Sequence, residues 1–496
     1  MRTSGILMHI TSLPSPGGIG SLGHEAYAFA DFLHNSGMTI WQVLPIGPTG
    51  YGESPYQSTS VFAGNPLLIS PELLREEGLL DFSDADLYQP GSPDRVDYEQ
   101  VRKNKLSLLR KSFLASGKKI SEEIETFTKA ESWVYDFAMF TAVKENFGNI
   151  KWTSWPDEGI RFRRKDSVEE YGIKLKNEID FHIFCQFVFR KQWFALKKYC
   201  NEKDIRIFGD MPIYVAEDSA DTWTHPDIFQ LDRKRIPKRV AGVPPDYFSE
   251  DGQLWGNPLY RWTWLKFHNY SWWVDRMKGM SSLYDLVRID HFIGFANYYS
   301  VPYGAPNARN GKWVKGPGKS LFKRLQKEVP DINIIAEDLG AVNARVRRLL
   351  DWCGYPGMKI MIFGFDSDET NPHYISNYSK NTVAYTGTHD NDTVAGWAEK
   401  AEPAVLKFAE KTCGFSTIDE APAAFIRILF ETPCDTVIVP MQDLLGLGGD
   451  ARMNYPGTIG GNWEWRMTGE VLTDSLSARI RELVDITDRR KKNVRC

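Results

Sequence analysis

Acidic residues stand at or just past the ends of short apolar runs: Asp210 after IRIFG, Asp290 after LVRI, Glu337 and Asp338 after INIIA, and Asp390 after TVAYTGTH. Carboxylates gathered at one place repel one another, so a fold that collects them does so for a substrate, a metal or chemistry. In the word Val287-Arg288-Ile289-Asp290-His291 the period of two of an extended strand puts Arg288 and Asp290 on the same side. A guanidinium there holds the carboxylate ionised and oriented, as a nucleophile requires; the same pair would also serve as a buried ion pair sealing a core. Cleavage and transfer of glycosidic bonds use two carboxyl groups, one protonated donor and one ionised nucleophile, and neighbouring negative charge raises the donor's pKa. Metal binding is the competing use of such a cluster. His291 and His389 adjoin the acids, but no His/Asp pair has tight metal-ligand spacing, so no metal is expected.

Acids spread over 180 residues converge only if their runs become neighbouring strands. Eight such runs recur: 5–13, 38–46, 205–215, 286–292, 332–339, 358–365, 382–390 and 436–444. Near-continuous apolar runs imply strands buried on both faces and hence a parallel sheet. Helical spacing lies between them, at 24–36 with Gly37 as a stop, at 184–199 and at 343–352 with Gly354 as a stop. The alternation predicts an α/β fold, a (β/α)8 TIM barrel, which gathers the C-terminal ends of its strands around one site. Two connectors are too long for simple crossovers. Residues 51–200 carry helical patterns at 101–115 and 131–147 and are expected to form a mainly helical insertion after the second strand. Residues 216–284, with the aromatic stretch 244–258, are expected to form an insertion after the third. The whole chain, 1–496, is thus expected to be a single catalytic barrel with large insertions at the C-terminal face of its strands.

Composition narrows the function. With 60 Lys and Arg against 64 Asp and Glu, the net charge is −4, and no basic stripe offers a footprint for nucleic acid. No run approaches the ~18 apolar residues of a membrane span, and the N-terminus lacks the apolar core of a signal peptide; a cytoplasmic location is expected. Six cysteines are scattered without a CxxC pair, which indicates neither a zinc site nor a disulfide framework. Gly18-Ile-Gly20-Ser-Leu-Gly23 spells the dinucleotide-binding pattern, but Pro14 and Pro16 separate it from the first strand and the second run ends in Pro45-Ile46-Gly47, with no acid for a ribose. It reads as a turn, and no cofactor is expected. Aromatic residues make up 13% of the chain. Those in Gly/Pro-rich stretches, such as Tyr56, Tyr247, Phe248 and Trp255, suit flat, partly apolar ligands such as sugar rings.

Longer words carry a resemblance. Ser54–Ser70 (SPYQSTSVFAGNPLLIS), Phe208–Val215 (FGDMPIYV), Ala241–Tyr260 (AGVPPDYFSEDGQLWGNPLY), Val287–Phe295 (VRIDHFIGF), Ile335–Gly340 (IAEDLG), Tyr355–Phe365 (YPGMKIMIFGF), Tyr385–Trp397 (YTGTHDNDTVAGW) and Met441–Arg466 span nearly the whole chain. Together they resemble the 4-α-glucanotransferases of the α-amylase clan known as amylomaltase or disproportionating enzyme. The resemblance implies a retaining enzyme that moves α-1,4-glucan segments between maltooligosaccharides. Asp290 would be the nucleophile, Glu337 the acid/base and Asp390 the transition-state stabiliser. Arg288, His291 and His389 would hold the nucleophile and sugar hydroxyls, while Ser54, Tyr56, Asp210, Gln253, Trp255, Asp366 and Asn462 would line sugar subsites. Tyr247 and Phe248 are expected to overhang the cleft, excluding water and stacking an acceptor sugar. An α-glucan hydrolase with the same acids is the nearest alternative; a non-catalytic glucan-binding protein could dispense with them.

Overall fold

Eight parallel strands form one sheet in the order β10-β11-β12-β1-β2-β3-β6-β9. They are β1 (Thr3–Leu7), β2 (Ile40–Gln42), β3 (Arg206–Pro212), β6 (Leu286–Asp290), β9 (Asn333–Ala336), β10 (Gly357–Ile360), β11 (Thr382–Tyr385) and β12 (Thr436–Pro440). The two edges meet where the Ala336 N–H donates to the carbonyl of Pro356, just before β10 (2.9 Å), so the sheet curls into a nearly closed (β/α)8 barrel. The computed structural model describes residues 2–83, 92–117, 119–245, 250–340 and 342–490.

Each apolar run of the sequence coincides with a strand, β1 and β10 starting two residues and one residue before their runs, but the strands are shorter than the runs. Beyond Ile360 the chain turns into a 3-10 helix (Met361–Phe365), and beyond Pro440 into a helical turn (Met441–Leu444). Tilted barrel strands diverge at the mouth, and the residues past the last ladder bond bury their side chains without staying in the sheet. The helices between strands follow their signals. Ala344–Cys353 starts where the Asn343 side chain accepts from the N–H groups of Arg345 and Val346, and stops at Gly354, which is left-handed (φ +70°) and donates to the Leu350 carbonyl.

Between β2 and β3 the chain forms the helices Tyr98–Ser116, Ser121–Ala130, Val134–Asn146, Lys165–Lys174 and the 27-residue Lys176–Glu202. A core separate from the barrel's, built on Phe137, Phe140, Trp152, Trp155 and Ile183, also takes in Trp223 from beyond β3, which joins the two long connectors.

A second, antiparallel sheet has the order β5-β4-β7-β8, with β4 (Arg239–Val243), β5 (Gln253–Pro258), β7 (Asn297–Pro302) and β8 (Lys312–Lys315). Half of it comes from residues 297–315, after β6, outside the connectors expected to carry insertions. The glycine run 18–23 is a turn pressed onto the barrel: the Gly20 N–H donates to the Thr11 carbonyl (2.9 Å), and a Cβ on Gly20 would meet the Ile10 carbonyl oxygen at 1.7 Å. Among the described residues no helix is long and apolar enough to cross a membrane.

Candidate active site

Register places the first acids. In the β3–β6 ladder Asp210 lies beside Arg288 and Pro212 beside Asp290; in the β6–β9 ladder Ile289 lies beside Ala336, so the next residues, Asp290 and Glu337, leave the barrel side by side. Gly209 lets β3 seat Asp210 there, since a Cβ on it would meet the Tyr284 ring at 2.3 Å. Arg288 and Asp210 are only 4% and 2% exposed and form a buried ion pair; the second arm of the guanidinium reaches Asp290 Oδ1 at 2.7 Å. Burial raises the Asp290 carboxyl above its ordinary value, and Arg288 opposes the rise.

Glu337, just past β9, is buried, with Oε2 accepting from the His291 N–H (2.8 Å) and Oε1 from the Leu339 N–H (2.7 Å). The first bond depends on His291 being left-handed (φ +52°), a conformation that costs a residue with a Cβ and turns the N–H toward Glu337. Burial, reinforced by the Asp290 charge, pushes the Glu337 carboxyl far up, beyond what the two N–H bonds and Arg288 restore. Asp338 turns instead to β10, where its Oδ1 accepts from the Met358 N–H (2.7 Å).

Asp390 lies in the loop after β11. Burial alone would raise its carboxyl, but His389, whose Nε2 is 3.2 Å from Oδ2, and the Asn454 amide, 2.7 Å from Oδ1, outweigh burial and hold it well below the usual carboxylate range. Three carboxyls are thus held in three different ways, one on a guanidinium, one buried on backbone amides, one on a neutral amide beside an imidazole.

Tyr56 ties these groups together. Its hydroxyl has one proton, donated to Asp210 Oδ2 (2.7 Å), so His389 Nε2, 2.8 Å away, is the donor to the Tyr56 oxygen. The two rings stack with centroids 5.3 Å apart. Ser54 sets the turn that presents Tyr56 by accepting from its N–H (3.3 Å). Trp255, on β5, packs edge-on against the His291 ring (4.8 Å) and donates from Nε1 to Gln253 (3.1 Å). Burial lowers His291 to about 4, and its Nε2 is buried without a hydrogen-bond partner among the described residues.

Two sites of the sequence reading stand apart from this cluster. Asp366 is exposed in the loop after β10, its carboxylate bonded to Asn371. Asn462 spends its amide on its own loop, accepting from the Tyr455 N–H (2.8 Å) and donating to Thr458. Tyr247 and Phe248 lie outside the described residues.

A family model described as 4-alpha-glucanotransferase, glycoside hydrolase family 77, matches residues 8–473. The chain belongs to this family. It is 44% identical to the 4-alpha-glucanotransferase of Clostridium butyricum over 97% of this chain and all of that one, and 44% identical to that of Thermus thermophilus over 98% and 99%. The amylomaltase of Streptococcus agalactiae, solved in complex with acarbose, superposes with a TM-score of 0.96 at 43% identity, over 99% of this chain and all of that one. Amylomaltase from Corynebacterium glutamicum, 18% identical, shares the fold with a TM-score of 0.76 over 99% of this chain and 75% of that one.

Around the acids of this 4-alpha-glucanotransferase family member the structure adds residues that the sequence reading passed over. Asn454 reaches Asp390, and Arg452 donates from Nη2 to the Asp390 carbonyl (2.6 Å). Trp463, left-handed at φ +67°, leans on Tyr56 and His389 with centroids 5.8 and 5.9 Å away. His9, buried below, is pushed down to about 3 by burial and by His389; being neutral, its Nδ1 accepts from the Leu44 N–H (3.2 Å). These are single polar or aromatic residues in irregular segments; the one signal for Arg452, Asn454 and Trp463 was lying inside the word Met441–Arg466, and for His9 interrupting the apolar run 5–13. Glu145, Glu178 and His182 also bring candidate ligand atoms together on the helical insertion, where Arg110 already pairs with Glu178 and His182 with Glu145.

Proposed function

We propose that this enzyme is a retaining 4-α-glucanotransferase acting on maltooligosaccharides and α-1,4-glucans by double displacement. Asp290 attacks the anomeric carbon of the donor while Glu337 gives its proton to the departing glycosidic oxygen. The glycosyl group rests on Asp290 as an ester, the 4-hydroxyl of an incoming glucan or glucose loses its proton to Glu337, and the new bond forms with the α configuration restored. Asp390, ionised, faces the positive charge that develops at the anomeric carbon. Arg288 keeps Asp290 an anion, and the neutral His291, with Nε2 unspent, is placed for a sugar hydroxyl.

One observation carries this reading: the pairing of Asp290 with Glu337. Adjacent strands lie about 4.8 Å apart, and the retaining mechanism needs its two carboxyl groups about 5–5.5 Å apart, whereas inversion needs room for a water between them. Register sets these residues side by side on neighbouring strands, with the charge-bearing Arg288 on one carboxyl and burial keeping the proton on the other. That the similar amylomaltase of Streptococcus agalactiae was solved in complex with acarbose supports a sugar-like ligand for this fold. Trp255 against His291 supports an aromatic wall that excludes water while an acceptor waits.

The test is incubation with maltotriose and separation of products by size. Glucose together with longer oligomers is the expected outcome; shorter sugars alone would make the enzyme a hydrolase. The roles separate with α-maltosyl fluoride, whose leaving group needs no protonation. Glu337→Gln is expected to become labelled by it and Asp290→Asn to stay unlabelled, and labelling of Asp290→Asn would overturn the assignment.

A further inference from the structure

Asp390 reaches the cleft from a loop, not from a strand, so something outside the barrel ladder must hold it. Both oxygens of its carboxylate are partnered: Oδ2 with His389 Nε2 at 3.2 Å and Oδ1 with Asn454 Nδ2 at 2.7 Å. Asn454 is itself fixed, because Arg452 donates from Nε to the Asn454 carbonyl (2.7 Å) and from Nη2 to the Asp390 carbonyl (2.6 Å), with its guanidinium over the Tyr455 ring (4.2 Å). One cation thus staples the backbones of two loops, and the amide between them reaches the carboxylate.

We propose that Asn454 is a positioning residue of the transfer reaction: its neutral amide holds the Asp390 carboxylate in one orientation and as a full anion facing the cleft. A Lys or Arg at this place would fix the carboxylate equally well but would cancel the charge that opposes a developing cation. The structure sets its cation, Arg452, against the backbone carbonyls and gives the carboxylate an amide. The role rests on the assignment of Asp390 as stabiliser. The other ionisable groups facing Asp390 are His389, Arg288, Asp290 and, through His389, Tyr56.

Two variants test it in the full-length enzyme, with maltotriose as substrate and circular dichroism as the check on folding. Asn454→Ala leaves Oδ1 without its donor and should lower kcat about ten- to a hundredfold with KM changed by less than about threefold, the size expected for removing a hydrogen bond to a charge. Asn454→Asp keeps the shape. While the introduced carboxyl is protonated it donates to Asp390 as the amide does; as pH rises it ionises, and two anions then face each other at hydrogen-bond distance. The alkaline limb of its pH-rate profile should therefore move to lower pH than that of the unaltered enzyme, which a merely structural residue would not cause. A kcat for Asn454→Ala within twofold of the unaltered enzyme, or an Asn454→Asp profile that superposes on the original, overturns the proposal. Asp390→Asn separates the two levels: if it retains full transfer, the assignment of Asp390 fails, whereas an inactive Asp390→Asn beside an undisturbed Asn454→Ala removes Asn454 alone. Should Asn454→Ala not fold, the profile of the isosteric Asn454→Asp decides.

Discussion

Asp290 and Glu337 carry the same functional group on neighbouring strands, and in the proposed mechanism only their surroundings divide the labour. Both are raised above the ordinary carboxylate range by burial, Asp290 against the pull of Arg288 and Glu337 with the push of Asp290. The proposed mechanism requires Asp290 ionised, so activity should rise as pH rises through the Asp290 value, and Glu337 protonated, so activity should fall as pH rises through the Glu337 value. The expected kcat/KM profile is a bell whose two limbs both lie above the pH at which free carboxyls titrate. Because the two groups interact, the limbs belong to the pair. Glu337→Gln, assayed with maltosyl fluoride for the labelling step, should lose the alkaline limb and keep the acid one. An alkaline limb that persists in that variant would assign it to another group.

At the scale of elements, what was legible in the sequence was the near-continuous apolar run. The eight strands announced themselves because strands covered on both faces are apolar throughout, and the acids at their ends stood out against that background. The second sheet was not legible: Asn297–Pro302 is buried but breaks its apolar run with Asn297 and Ser300, Lys312–Lys315 is four residues long and mostly exposed, and the pairing of Asn297–Pro302 with Arg239–Val243 is a contact between distant segments that no local pattern marks. Asn454 and Arg452 escaped for the same reason, since an amide acquires its meaning only when the loop after β12 meets the loop after β11. A joint of that kind lies beneath the site. Asp443, in the helical turn Met441–Leu444, accepts from the Thr386 hydroxyl with Oδ2 (2.6 Å) and, with Oδ1, from the Val394 N–H that opens the helix Val394–Lys400 (2.8 Å). Burial pushes its carboxyl up to about 6. In that state the folded protein binds the proton more tightly than the unfolded one, so stability is full below about pH 4 and is lost as pH rises through about 6. Asp443→Asn removes the charge while its carbonyl still accepts from the Val394 N–H and its amide group can donate to the Thr386 hydroxyl oxygen, reversing that bond. It should therefore be more stable than the unaltered protein at pH 8, by on the order of 2–3 kcal/mol, and the gain should vanish toward pH 4. Thermal denaturation across that range is the measurement, and a gain independent of pH would show that ionisation is not its source.

Over the whole molecule, the helical insertion is bound to the barrel mouth through two loops at once. The segment before the helix Tyr98–Ser116 pairs with the chain beyond Trp463, Val96 N–H to the Glu464 carbonyl and Arg466 N–H to the Asp94 carbonyl (both 2.7 Å), and the Tyr98 hydroxyl donates to the Trp463 carbonyl (2.8 Å). One turn along the same helix, Arg102 donates to Glu53 (2.6 Å) in the loop that carries Ser54 and Tyr56. Glu53 is left-handed (φ +56°) next to the equally left-handed Gly52, a backbone that needs outside support. A half-exposed ion pair contributes about 0–1 kcal/mol to stability, so removing it should barely move Tm. Its effect should appear where the loop ends, at the Tyr56 hydroxyl between Asp210 and His389. Arg102→Glu and Glu53→Arg are each expected to lower kcat/KM on maltotriose roughly fivefold, and the double variant, with the pair reversed, to recover most of that loss, a coupling of about 1.5–2 kcal/mol. Additive losses in the double variant would mean that the helix and the Tyr56 loop act independently. Recovery would make the insertion part of the catalytic apparatus, because a charge on its helix Tyr98–Ser116 would then be setting a hydroxyl that touches the buried Asp210–Arg288 pair.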